Sequence, residues 1–281
     1  MSRTAGRRRA LGQHFLAPGG VAERLVAEFA PRPGEAVLEV GPGRGVLTRA
    51  LLEAGAEVLA IEVDPQLAQA LRLELGARPD QERLRLVCAD ALKVDLGALL
   101  CDTFGSRAVR VLASLPYASG TAILERLCGA MPPIREAMVL LQKEVVDRVV
   151  AEPGTAAYGY LSVAVRSRCR AHGGFLVRPG AFLPPPRVLS RTLRVEPLED
   201  PPVPPARRAD FLALVGRLFT HRRKTLANNV RVAGLGAPVL EAARAAGDPA
   251  RRPGEWSVEQ LASLFLSLQG SGGSASGAVL K

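Results

Sequence analysis

Val37-Leu-Glu-Val-Gly-Pro-Gly-Arg-Gly-Val-Leu-Thr48 decides the fold. An apolar run, Ala36 to Val40, enters three closely spaced glycines and leaves them in a helical pattern from Val46 to Ala54. The pattern predicts a buried strand, a tight turn and a helix. Glycine, lacking Cβ, lets such a turn form and lets backbone approach a ligand closely. The helix N-terminus then presents unpaired N–H groups and the positive end of a dipole to an anion. The spacing of Gly41, Gly43 and Gly45 is G-x-G-x-G, and Val46 stands where a dinucleotide fingerprint has its third glycine. A ligand smaller than a dinucleotide follows.

Working outward, the next apolar run, Glu57 to Ile61, ends at Glu62, which lies 21 residues after Gly41. A carboxylate there can accept both hydroxyls of a ribose. A third run, Leu84 to Ala89, delivers Asp90-Ala91 to the same sheet edge, where Asp90 can accept from an adenine amino group. Read singly, each acid is equally a solvated strand-end carboxylate or a helix cap. Together the three strand ends place an anion site, a ribose acceptor and an adenine acceptor side by side, which fits S-adenosylmethionine. A fourth run, Val109 to Ala113, leads into Ser114-Leu-Pro-Tyr117. An aromatic amine is a poor nucleophile because its lone pair is delocalised into the ring. Ser114 and the carbonyl of Leu115 or Pro116 can hold its protons out of conjugation, and Tyr117 offers a face for a flipped base. Alone, the tetrapeptide reads equally as a strand end running into a proline turn.

Taken with Leu11-Gly-Gln-His-Phe-Leu16, Gln142-Lys-Glu-Val145, Pro153-Gly-Thr155, Tyr158-Gly159, Leu161-Ser-Val163, Phe182-Leu-Pro-Pro-Pro-Arg-Val188 and Arg222-Arg-Lys-Thr-Leu226, these motifs make the chain resemble the KsgA-type small-subunit ribosomal RNA adenine dimethyltransferases. The resemblance runs from Leu11 to about Leu226 and implies a Rossmann-like methyltransferase sheet with a small helical C-terminal domain. It implies S-adenosylmethionine as cofactor, held by Gly41, Gly43, Gly45, Glu62, Asp90, Ala91 and Ser114. Gln13, His14, Phe15 and Leu16 would close over it. It further implies N6,N6-dimethylation of adenine in a hairpin near the 3′ end of small-subunit ribosomal RNA. Ser114, Leu115, Pro116 and Tyr117 would serve that chemistry, with Phe182 facing Tyr117 in an aromatic sandwich. One position departs: the family usually has Asn where this chain has Ser114. Two other readings stay open, an erythromycin-resistance type enzyme acting on large-subunit RNA, and a weakly catalytic ribosome assembly factor that Ser114 suggests.

Composition agrees with a nucleic-acid partner. The 281 residues carry a net charge of +10, with basic clusters at Arg7-Arg-Arg9, Arg166/Arg168/Arg170, Arg187/Arg191/Arg194, Arg207-Arg208 and Arg222-Arg-Lys224. Arginine suits phosphate forks, although arginine-rich composition alone would raise the total. The partners expected are small-subunit ribosomal RNA and the small ribosomal subunit or its precursor. Cys88, Cys101, Cys128 and Cys169 lack C-x-x-C spacing and read as buried free thiols; with three histidines, no metal site is expected. No signal peptide or membrane span is expected, so the reading is a cytoplasmic monomer. Alternating strand and helix patterns to about Val150 predict a doubly wound parallel sheet. A helix over Tyr160 to Arg170 and strands over Gly173 to Arg178 and Ser190 to Glu196 follow, the last two forming an antiparallel edge by resemblance. The proline-rich Pro197 to Pro205 predicts a boundary. The expected organisation is a basic arm (1–10), a methyltransferase domain (11–198), a helical RNA-binding domain (199–268) and a disordered Gly/Ser-rich tail (269–281). Ser257-Val-Glu-Gln260 has capping-box form ahead of the last helix.

Overall fold

The computed structural model describes residues 14–76, 78–130 and 133–270. The basic arm, Gln13 and residues 271–281 lie outside the described residues. In chain order the strands are β1 (Phe15–Leu16), β2 (Ala36–Val40), β3 (Glu57–Glu62), β4 (Leu84–Cys88), β5 (Val109–Ser114), β6 (Ile134–Gln142), β7 (Cys169–Val177), β8 (Phe182–Leu183) and β9 (Ser190–Pro197). Helices α1 (Gly20–Phe29), α2 (Val46–Glu53), α3 (Pro65–Leu75), α4 (Leu96–Phe104), α5 (Gly120–Gly129) and α6 (Lys143–Val149) alternate with them.

Seven strands form one sheet in the order β4-β3-β2-β5-β6-β9-β7. Strands β2 to β6 run parallel, and β9 joins β6 antiparallel. Residues of β2 and nearly all of β3 are buried, which is why both read as continuous apolar runs rather than alternations. Leu25, Phe29, Leu51, Leu52, Leu71 and Leu75 from α1, α2 and α3 bury against Val37, Val58 and Ala60. Each such side chain contributes about 1.5–3 kcal/mol by leaving water. Between β2 and β5 the strand order reverses, and this switch opens a crevice at the carboxyl ends of the strands.

The chain divides into two compact units, one of 1–146 with His172–Pro197, the other Asp147–Ala171 with everything from Leu198 onward. The chain therefore passes between the units three times, and a single break after residue 198 lies at the last of these. The segment Asp147–Ala171 goes with the helical unit because Tyr158, Val163 and Ala164 bury in its core with Phe211, Phe219 and Trp256. The helix predicted over Tyr160 to Arg170 ends early, as α7 (Tyr160–Arg166), and β7 takes over from Cys169. Helices α8 (Arg208–Leu218), α9 (Leu226–Val232), α10 (Gly236–Ala246) and α11 (Val258–Gly270) complete this unit. The capping box is formed: Gln260 N–H donates to Ser257 Oγ at 3.2 Å, and Ser257 N–H to Gln260 Oε1 at 3.0 Å.

Two expectations change. All four cysteines are free, but Cys88 and Cys101 are exposed and only Cys128 and Cys169 are buried. Several clustered arginines also serve the protein's own backbone. Arg222 donates to the carbonyls of Ala156 and Tyr158, each at 2.7 Å, Arg208 to Ala164 O at 3.1 Å and Arg166 to Ala151 O at 2.7 Å. Arg194 pairs with Glu136 at 2.8 Å. Arg223 and Lys224 are exposed, and no ion pair involves them among the described residues.

Candidate active site

The turn after β2 has the left-handed backbone its glycines permit: φ is 73° at Gly41, 56° at Gly43 and 74° at Gly45. Neighbours crowd the turn as well: a Cβ on Gly43 would lie 2.7 Å from Phe15 Cδ1, and one on Gly45 would displace Leu71 Cδ1. Gly45 caps α2, whose first turn faces the cleft through Val46 and Leu47.

Glu62, 3% exposed, ends β3 in the cleft wall. Its two oxygens accept Gly43 N–H at 3.0 Å and Asp64 N–H at 2.9 Å. The carboxylate thus fixes the glycine turn and keeps a second lone pair on each oxygen for a ligand. Burial pushes its ionisation above the usual carboxylate range, and the amides of Asp64 and Gly43 oppose that. Asp90 closes its own turn by accepting Leu92 N–H at 2.9 Å, with Lys93 Nζ at 3.8 Å, and lines the cleft beside Ala91.

The same cleft is lined by His14, Phe15, Leu16, Ser114 and Pro116, so the N-terminal motif, the glycine turn, the three strand-end acceptors and the Ser114 tetrapeptide converge. Ser114 Oγ has no hydrogen-bond partner among the described residues. Pro116's carbonyl accepts Ser119 N–H at 3.3 Å and keeps a second lone pair, so it and Leu115's carbonyl both remain backbone acceptors.

The aromatic pair differs from the expected sandwich. Phe182 is 1% exposed in the core of the sheet unit, and its ring meets Tyr117 edge-on, centroids 6.3 Å apart and planes at 65°. Two parallel faces with a base-wide gap are absent because Phe182's ring is committed to packing. The ring of His14 lies nearer to Tyr117, at 5.2 Å and 40°. His14 was expected only at the cofactor; it also reaches the acceptor loop, with Nδ1 2.8 Å from Pro184 O.

Two features escape the sequence. β1 pairs antiparallel with β8, matching Phe15 with Leu183 and Leu16 with Phe182, and Ala17 N–H extends the ladder to Ala181 O at 2.8 Å. Two-residue strands carry no periodicity to detect. Glu39 is the other: it lines the cleft from within β2, 1% exposed, accepting from Thr48 Oγ1 at 2.7 Å. Burial raises its ionisation to about 8, with the nearby Glu62 charge adding and the Thr48 hydrogen bond opposing. Its signal was a charged residue inside a fully apolar strand, where an acid has no structural reason to sit.

Among the described residues no group of three or more His, Cys, Asp or Glu side chains is placed to hold a metal, and no helix is long and apolar enough to cross a membrane.

Comparisons with known proteins agree with this geometry. A family profile described as "Ribosomal RNA adenine dimethylase" matches residues 5–266. The chain is 40% identical over 247 residues to the Ribosomal RNA small subunit methyltransferase A of Pseudomonas aeruginosa, covering 88% of each protein. It is 40% identical over 220 residues to the protein of that name from Acidithiobacillus ferrooxidans, covering 78% of this chain and 80% of the relative. Among solved structures, a dimethyladenosine transferase from Plasmodium falciparum superposes with a TM-score of 0.73 at 21% identity, covering 90% of this chain and 96% of its own. The 23S rRNA methyltransferase ErmE superposes with a TM-score of 0.63 at 25% identity, covering 91% and 99%. With the profile matching nearly the whole chain and relatives 40% identical over most of it, the chain belongs to the ribosomal RNA adenine dimethylase family.

Proposed function

We propose that this protein transfers methyl groups from S-adenosylmethionine to the N6 of adenine in small-subunit ribosomal RNA, twice at one nitrogen. The observation that carries the reading is the convergence in one cleft of the Gly41–Gly45 turn, Glu62, Asp90 and the Ser114–Tyr117 strand end. These residues fit the cofactor. The glycine turn lines the cleft with backbone alone at Gly41 and Gly43, and Glu62 retains acceptor capacity at the ribose position. Gly41, Gly43 and Gly45 would hold its amino-acid end, Glu62 its ribose, Asp90 and Ala91 its adenine, with His14, Phe15 and Leu16 covering it; Gln13 would join them from outside the described residues.

Bound there, S-adenosylmethionine supplies an electrophilic sulfonium methyl group. The protein's own work is orientation and exclusion of water. Ser114 Oγ and the Leu115 carbonyl accept the N6 protons and turn the nitrogen lone pair out of conjugation toward the cofactor side of the cleft. Tyr117 stacks on the extruded base. Phe182 supports Tyr117 from its edge, and it would need to swing out of the core to stack directly. The methylated nitrogen releases one proton to water. A second round requires the mono-methylated amine to present its remaining proton to the same acceptors.

The exposed Arg223 and Lys224 of the helical unit, with other uncommitted basic side chains, would meet the RNA backbone. The protein would act as a monomer in the cytoplasm on the small subunit or its precursor, with no metal. The test is transfer of labelled methyl groups to unmethylated small subunits, followed by primer extension on both ribosomal RNAs. Two methyl groups on one small-subunit adenine are expected, and Tyr117→Ala should lower the rate at least 100-fold, on the order of what a lost orientation removes. A modified base only in large-subunit RNA, or no transfer by the wild type, would overturn the reading.

A further inference from the structure

We infer that Ser190 is a positioning residue for methyl transfer, acting through Tyr117. This rests on the reading of Tyr117 as the stacking face for the target base. Ser190 opens β9 opposite Gln142 of β6, and it is fully buried, with 0% of its surface exposed. Its Oγ lies 2.5 Å from the Tyr117 hydroxyl, across 73 residues of sequence.

A tyrosine at the end of a strand has two free side-chain torsions and, without a tether, samples several ring orientations. Here the ring is held at three points. His14 rests against it at 5.2 Å, the Phe182 edge meets it at 6.3 Å, and Ser190 holds the hydroxyl. The first two are contacts that yield to sliding. The third is a directed hydrogen bond from the rigid antiparallel strand, and it fixes the plane on which a base stacks. Burial also pushes the Tyr117 ionisation up, so the hydroxyl stays neutral and can donate or accept in this pair. A serine, rather than an apolar residue, at a wholly buried position facing one hydroxyl has this geometry as its explanation.

The experiment is a double-mutant cycle on steady-state methyl transfer to unmethylated small subunits, using wild type, Ser190→Ala, Tyr117→Phe and the double variant. Cofactor Kd by calorimetry and melting temperature are read alongside. Ser190→Ala and Tyr117→Phe should each lower kcat about tenfold, the double variant no further, with KM for subunits and Kd for cofactor within about twofold of wild type. A purely structural serine would give a loss of equal size in the Tyr117→Phe background and would move the cofactor Kd; either result overturns the inference. Should Ser190→Ala fail to fold, Tyr117→Phe removes the same hydrogen bond without touching β9, and an unchanged kcat for it overturns the inference. A Tyr117→Ala protein with wild-type kcat would instead overturn the stacking role itself, and the inference with it.

Discussion

In the proposed reaction, Ser114 is the one side chain that would hold the amine. Its Oγ stands free in the cleft wall, one bond shorter in reach than the Asn usual in the family. Ser114→Ala should lower kcat about tenfold while leaving cofactor Kd unchanged, since a lost hydrogen bond to a neutral group is worth about 1 kcal/mol or slightly more. Ser114→Asn should raise kcat, by bringing an amide carbonyl closer to N6; single-turnover transfer measures both. Glu39 poses a different test. Its carboxyl is neutral in folded and unfolded chains below its ordinary value of 4.5 and ionised in both above about 8. Between the two, the unfolded chain has released its proton while the folded chain keeps it, so the folded state loses stability as pH rises across that window. Glu39→Gln keeps an acceptor for Thr48 Oγ1 and should flatten this fall, gaining on the order of a few kcal/mol above pH 8 by denaturant unfolding. The Ser114 question was already legible as a departure from the usual Asn, whereas the Glu39 effect was not: the sequence showed an acid in an otherwise apolar run, and only the three-dimensional enclosure shows its burial.

At the level of elements, legibility followed length and periodicity. β2, β3 and β5 each bury a mostly apolar run, broken only by Glu39 in β2 and Arg110 in β5, and their ends line one cleft, so the strands and the residues they bring together were readable from the same letters. β7 was legible only from Gly173 onward: Cys-Arg-Ala-His at 169–172 has a strand's alternation, buried then exposed, but follows α7 so closely that a helical reading absorbs it. The β1–β8 ladder joins segments more than 160 residues apart and could not be found by any local pattern. It ties the cofactor side to the acceptor side, because Phe15 packs on Gly43 while Leu16 pairs with Phe182. Ala17→Pro deletes the N–H that donates to Ala181 O, so it should weaken both sides together. The expected result is a several-fold rise in cofactor Kd and in KM for subunits, with a melting temperature within about 2 °C of wild type, as a surface-edge change allows.

For the whole molecule, the net charge of +10 does not say which arginines can reach RNA: Arg110 and Arg194 are held by the protein's own acids and Arg222 by its own carbonyls. Arg223→Ala and Lys224→Ala should each reduce the salt slope of subunit binding by about 0.7–0.9 and leave the melting temperature alone. Arg222→Ala should do the reverse, lowering stability by about 1 kcal/mol through the part-buried Tyr158 carbonyl it leaves without this donor, and changing the slope little. The chain's excursion into the second unit and back has a temporal meaning. During synthesis the parallel strands β2 to β6 emerge first, yet β9, which carries Ser190 and covers the open edge of β6, emerges only after the excursion through Asp147–Ala171. Until that moment β6 is an uncapped apolar edge, and Tyr158 and Val163 await partners that emerge later still. A nascent chain stalled between residues 147 and 190 is therefore the species most prone to aggregate, and the acceptor site is among the last parts of the sheet unit to come into being.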